Sequence, residues 1–131
     1  MPVFLASKSP RRRHLLDRLG IEYTPLDVDV EEAPADGEPP EAYVLRVATD
    51  KARAGRQLVG EGAVLAADTE VILDGRIIGK PDTLEECVAM LGSLSGRAHE
   101  VYTAVVLIDE TSASILSRNT VWFRELPETE R

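Results

Sequence analysis

Residues 3–20 read VFLASKSPRRRHLLDRLG, and the change of pattern inside this stretch decides the fold. Val3–Ser7 is a short apolar run of the kind that forms a buried strand. Ser9 and Pro10 then supply an N-cap and a first-turn proline, Leu15, Leu16 and Leu19 recur at helical spacing as an apolar face, and Gly20 marks a stop. Tyr23–Asp29 reads as a second strand. Strand, helix and strand in that order open an α/β domain.

Outward from this unit, the span from Pro40 to about Leu58 sets Val44, Val47, Ala48, Lys51 and Ala52 on one helical stripe, so a lysine interrupts an apolar face. Val64–Ala67 is an apolar strand that ends in Asp68-Thr69. Beyond it, Val71–Leu73 and Ile77-Ile78 flank Asp74-Gly75, a hairpin signal. Thr83 and Glu86 form a capping box that opens a helix with Leu84, Val88 and Leu91 inside. Ala98–Ile108 and Ser114–Arg124 read as long strands, with Leu116, Trp122 and Phe123 assigned to the core. These elements predict one mixed α/β domain over residues 1–131 with several strands and three helices. Between them, Glu31–Pro40 (EEAPADGEPP) is acidic and rich in proline, the composition of a mobile loop.

At 131 residues, 44% hydrophobic and 29% charged, the composition is that of a globular domain large enough to bury a core without disulfides or structural metal. Cys87 is the single cysteine, which excludes an internal disulfide and a thiolate zinc site and fits a reducing compartment. No apolar run exceeds Ala104–Ile108, far short of the ~18 residues of a membrane span. The first ten residues lack the apolar core and cleavage site of a signal peptide, so a cytoplasmic protein with no membrane partner is expected. A net charge of −8 argues against non-specific nucleic-acid binding. Positive charge is nonetheless concentrated early: Lys8, Arg11, Arg12, Arg13 and Arg18 face only Asp17 and Glu22 within the first 24 residues.

Three of those arginines occupy the first turn of the predicted helix, where the macrodipole is already positive and backbone amides are unpaired. Each such cation costs about 0.3–1 kcal/mol unless an anion reverses the penalty. Backbone amides, a serine hydroxyl and arginine forks converge in this way on phosphoryl oxygens. The bland alternative is that the arginines point to water and Ser9 only caps the helix. Lys51 is aimed at the interior, or snorkels along it to reach solvent. Asp68 stands at the carboxyl end of a strand, where α/β folds gather ligands, or forms an ordinary turn. Glu31 and Glu32 could offer oxygen ligands to a hard cation such as Mg²⁺. Lys80 sits on a tight Gly79-Lys80-Pro81 loop, and His99 reads as a satisfied structural histidine.

Taken in order, these segments resemble the Maf family. LASKSPRRRHLL matches the opening S-x-S-P-R-R signature, followed by Glu32, Lys51-Ala52, AADT at 66–69, GKP at 79–81 and LSGRAHEVYT at 94–103. The resemblance covers nearly the whole chain. It implies a Maf/ITPase-like mixed sheet flanked by helices and a hydrolase that splits the α,β linkage of a nucleoside triphosphate, giving a monophosphate and pyrophosphate. Carried over by motif position, Ser7, Ser9, Arg11 and Arg12 would hold the triphosphate, and Lys51 and Lys80 would neutralise more of its charge. Glu32 would bind a divalent cation, Mg²⁺ or Mn²⁺. Asp68 would act as general base toward water and share the metal. Arg11 with Thr69 resembles the subgroup acting on dTTP and UTP, which points to pyrimidine triphosphates, modified ones included, and to nucleotide clearance or restraint of cell division.

The family pattern continues past the last predicted strand with a helix and a K-A-G-A-Y-G-I-Q-G type motif that contributes to the pocket, whereas this sequence stops at Leu126–Arg131. The expectation is a C-terminally incomplete Maf-like domain whose exposed edge favours a homodimer. It also leaves a catalytically silent nucleotide-binding protein, or a partner-dependent regulator of division, as alternatives to the enzyme.

Overall fold

The structure, a computed structural model, describes residues 2–7, 9–79 and 83–125. The opening apolar run becomes β1 (Val3–Leu5), and Pro10 starts α1 (Pro10–Arg18) directly after it. There follow β2 (Thr24–Pro25), the long helix α2 (Pro40–Leu58), β3 (Ala63–Leu73), β4 (Arg76–Ile78), α3 (Leu84–Leu94), β5 (Ala98–Ile108) and β6 (Ser112–Trp122). All strands join one mixed sheet in the order β2-β1-β3-β5-β6, with β4 also against β3. β1 runs parallel to β2 and β3, and every other pairing is antiparallel.

The pairing of β3 creates the feature that matters. One of its edges is taken by β5 from Val64 to Ile72. On the other edge β1 pairs Ala63–Leu65 and β4 pairs Val71–Leu73, so Ala66 to Glu70 face no strand there among the described residues. β1 has by then ended and turned toward α1. This notch at the carboxyl end of a parallel strand is the kind of place where open α/β sheets bind ligands.

Helix α2 lays the stripe seen in the sequence across the central strands. Tyr43, Val44, Val47, Ala48 and Ala52 pack with Val64, Ala66 and Ile72 of β3 and with Tyr102, Ala104 and Val106 of β5. Val44 and Val47 are fully buried, each contributing about 1.5–3 kcal/mol by leaving water. At the hairpin, Asp74 and Gly75 both take positive φ (53° and 76°), the conformation in which a two-residue turn follows the twist of its strands.

Several local expectations differ from what is observed. The second strand shrinks from Tyr23–Asp29 to Thr24–Pro25, because β1 ends at Leu5 and offers nothing further to pair with. Of the α1 leucines only Leu16 is buried, while Leu15 and Leu19 are exposed. Leu84 and Val88 of α3 also face solvent, and that helix is anchored near its end through Leu94. Trp122, assigned to the core, is 77% exposed at the end of β6, which among the described residues pairs only with β5. Leu116 does pack against the core, and Phe123 meets the His99 ring edge-on at 4.8 Å. The Thr83 hydroxyl caps α3 by accepting from the Glu86 amide at 3.1 Å.

Candidate active site

At the start of α1 the serines behave differently from a simple cap. Ser9 occupies the N-cap position but makes no side-chain capping bond; its own amide donates to Ser7 Oγ at 3.2 Å. Ser7 is buried beneath this turn. No acidic residue occupies the first turn to balance Arg11, Arg12 and Arg13, so the helix end keeps an uncompensated positive field.

Arg12 turns inward from that end. Its Nη2 donates to Thr69 Oγ1 at 3.0 Å, and Nη1 reaches Ser7 Oγ at 3.5 Å. Burial lowers the proton affinity of this guanidinium; the charges of Asp68 and Glu32 oppose that and the neighbouring Arg11 adds to it. A desolvated cation beside a second cation is a group held ready for an anion. Thr69 is in turn held from across the sheet, its hydroxyl 3.1 Å from that of Thr103, its directly paired partner on β5.

Arg12 and Ser9 stand between two adjoining cavities. The larger, about 630 Å³, is also lined by Arg11, His14, Leu15 and Thr69. The smaller, about 230 Å³, is lined by Ser7, Val28, Glu32 and Lys51 as well. Lys51 points inward, as the stripe on α2 suggests: its ammonium lies 3.3 Å from Glu32 Oε1 and 3.5 Å from Asp68 Oδ1. Asp68 lines neither cavity. It is 1% exposed behind the lysine, and its Oδ2 has no hydrogen-bond partner among the described residues. A buried carboxylate oxygen left over in this way is costly unless a ligand uses it.

The sequence-predicted residues Ser7, Ser9, Arg12, Glu32, Lys51, Asp68 and Thr69 are therefore brought together, and Arg11 flanks them. Lys80 lies outside the described residues. His99 is buried, but Nδ1 finds no partner among the described residues, so it is not the satisfied histidine expected. Sequence reading missed Glu70, which strand alternation could have disclosed, because it shares with Asp68 the face of β3 turned to α2 and is also buried. It also missed Tyr43, whose phenol is pushed up to about 12 by burial and by the charges of Glu70, Asp68 and Glu32.

For a divalent cation the donor set is sparse. No three His, Cys, Asp or Glu among the described residues are grouped to hold a metal. Two carboxylates around one ammonium, one carrying an unpaired oxygen, suit Mg²⁺ that arrives with phosphate oxygens, which is how that ion is commonly held.

The mixed sheet flanked by helices places the chain in the ITPase-like fold class. Two solved structures share that fold: a nucleoside-triphosphatase / dITP/XTP pyrophosphatase from Mycobacterium abscessus (TM-score 0.55, 22% identity, 92% of this chain and 72% of that one) and the Ham1 protein of Staphylococcus aureus (0.57, 18%, 92% and 70%). The chain belongs to the Maf family, whose model, described as Maf-like protein, matches residues 2–131. Curated relatives named dTTP/UTP pyrophosphatase are 46% identical in Alkalilimnicola ehrlichii (98% of this chain, 66% of the relative) and 51% identical in Methylococcus capsulatus (96% and 63%). Another in Xanthomonas campestris pv. campestris is 52% identical (81% and 58%). The chain thus spans between 58% and 66% of the length of these relatives. No helix among its described residues is long and apolar enough to cross a membrane.

Proposed function

We propose that the chain is a nucleoside triphosphate pyrophosphatase of the cytoplasm, acting on dTTP, UTP and related or modified pyrimidine nucleotides. The observation that carries this reading is the convergence of the Arg12 guanidinium, the Lys51 ammonium and the half-satisfied Asp68 carboxylate at one notch. The relatives' printed activity supports the choice of substrate.

In this reading the amides and hydroxyls at Ser7 and Ser9, with Arg11 and Arg12, hold the triphosphate. Lys51 turns its ammonium from Asp68 toward the phosphoryl oxygens as they enter, which uncovers the carboxylate. Asp68 takes the proton of a water whose oxygen bonds to the α-phosphorus. The bond from that phosphorus to the bridging oxygen breaks, and pyrophosphate leaves with the charge that Arg12 and Lys51 stabilise. Glu32 and Asp68 would hold the divalent cation, which supplies Lewis-acid stabilisation of phosphoryl charge and a more acidic water. Lys80 adds a further cation.

The test is a panel of nucleoside triphosphates incubated with the purified chain and Mg²⁺ or Mn²⁺, with pyrophosphate and monophosphate both quantified. Release is expected with dTTP and UTP, and water labelled with ¹⁸O should place its label in the monophosphate. Nucleotide binding without release from any triphosphate would overturn the reading.

A further inference from the structure

The segment 31–40 has the composition of a free loop, yet one side chain ties it down. Arg46 on α2 donates from Nε to Glu38 Oε2 at 2.8 Å and from Nη2 to Glu38 Oε1 at 3.0 Å. The same Nη2 donates to the carbonyl oxygen of Ala33 at 2.9 Å, and Nη1 reaches Asp50 Oδ2 at 3.4 Å. Beneath, the guanidinium rests over the Tyr43 ring, 5.4 Å from its centroid. Glu38 completes a small knot by accepting from the Ala35 amide at 3.1 Å, and its side chain is only 13% exposed.

This arrangement has a direction. Ala33 follows Glu32 in the chain, so pinning its carbonyl, in the Ala33–Pro34 peptide, fixes the backbone one residue beyond Glu32, whose Oε1 stands 3.3 Å from Lys51 Nζ. Without the clamp, a segment containing Glu31, Glu32, Asp36 and Glu38 repels itself, and ordering it at the moment of binding costs conformational entropy. A planar fork that reaches a carboxylate and a carbonyl together is something a lysine cannot reproduce.

We propose that Arg46 is a positioning residue: by bridging Glu38 and the Ala33 carbonyl it holds Glu32 at the Lys51–Asp68 site and thereby sets how tightly that site takes a divalent cation. The inference rests on the reading of Glu32 as a cation-binding group given above. Three measurements test it on the whole chain. They are hydrogen exchange of the amides of residues 32, 33 and 35–38, Mn²⁺ affinity by electron paramagnetic resonance with α,β-methylene-dTTP present, and the Mg²⁺ dependence of pyrophosphate release. Arg46→Gln and Glu38→Gln should each speed exchange in the loop and weaken Mn²⁺ about tenfold. kcat at saturating Mg²⁺ should stay within about twofold, a split that a general loss of fold would not produce. Arg46→Lys should recover part of the affinity, the charge swap Glu38→Arg with Arg46→Glu most of it, and the double glutamine variant should be no worse than either single one. Unchanged loop exchange in Arg46→Gln overturns the clamp, and a freed loop with wild-type Mn²⁺ affinity overturns its role at the site. If the wild-type chain binds neither Mn²⁺ nor the nucleotide analogue, the reading of Glu32 fails, while the exchange data still decide whether Arg46 orders the loop.

Discussion

Lys51 Nζ lies 3.5 Å from Asp68 Oδ1, so an ion pair joins helix α2 to strand β3 beside their apolar packing. Its partners are unequally wet, the Asp68 side chain being 1% exposed and that of Lys51 14%. Glu32 touches the same ammonium from the solvent side, 43% exposed. Removing the lysine strands a buried carboxylate, whereas neutralising the aspartate leaves the lysine with Glu32. Lys51→Met is therefore expected to cost about 3–5 kcal/mol of unfolding free energy, and Asp68→Asn much less. Urea denaturation measures both. The double variant should regain most of the loss, and simple additivity would show that the pair is not the cause.

Asp68→Asn separates chemistry from fold. The amide keeps the shape of the side chain but cannot take a proton, so pyrophosphate release should fall about 10²–10⁴-fold while the melting curve stays close to wild type. Retained turnover would remove Asp68 from the mechanism.

The hydroxyl of Thr69 is shared by Arg12 at 3.0 Å and Thr103 at 3.1 Å, which makes Thr103 a support for the arginine even though it does not touch it. Thr103→Val preserves shape on a half-buried strand position and deletes the bond, so dTTP binding should weaken by about 1 kcal/mol. Thr103→Ser should restore it. In a Thr69→Val background the Thr103→Val change should have no further effect by titration calorimetry, since its influence passes through Thr69.

Much of this site was legible in the sequence because it is built from local signals. The Ser-Pro-Arg-Arg helix start and the lysine interrupting the α2 stripe each announce themselves within one turn, whereas Asp68, read at the end of a strand, lies in the middle of β3, which runs on unbroken to Leu73. What stayed hidden depends on register between distant segments. Thr103 meets Thr69 only because β5 pairs with β3, and Arg46 meets Glu38 only because the acidic segment folds back on α2. Composition alone made that segment a mobile loop, since nothing local shows that a carboxylate eight residues away will satisfy an arginine fork. Exposure of Trp122 was equally illegible, because hydrophobicity identifies a candidate for burial and not the neighbour that would bury it.

Tyr43 gives the fold a pH dependence. Burial, then the charges of Glu70, Asp68 and Glu32, push its phenol up to about 12, against about 10 in an unfolded chain. Between those values the unfolded state has released a proton that the folded state retains, so stability must fall as pH rises. The contribution is fully present below pH 10 and is lost on approach to pH 12. Tyr23 and Tyr102 are also shifted upward, so the wild type must be compared with Tyr43→Phe. The urea midpoint of the wild type should drop more steeply above pH 10 than that of the variant, and parallel slopes would contradict the assignment.

Gly55 decides how close α2 can come to the strands that bear the site. On an exposed helix, replacing glycine by alanine stabilises by about 1 kcal/mol, because the backbone of the unfolded chain loses freedom. Here a Cβ would stand 2.9 Å from Val64 Cγ1, 3.1 Å from Ala6 Cβ and 3.2 Å from Leu26 Cδ1, two of them atoms of fully buried residues. Overpacking of that kind costs about 1–3 kcal/mol, so the clash should outweigh the propensity gain. Relief requires α2 to lift from the β1–β3 junction, which moves Lys51 relative to Asp68. Gly55→Ala should therefore lower the melting temperature and raise KM for dTTP together, with the kcat loss smaller than the KM change. A variant that melts higher than wild type would mean that the helix does not depend on the bare backbone at this point.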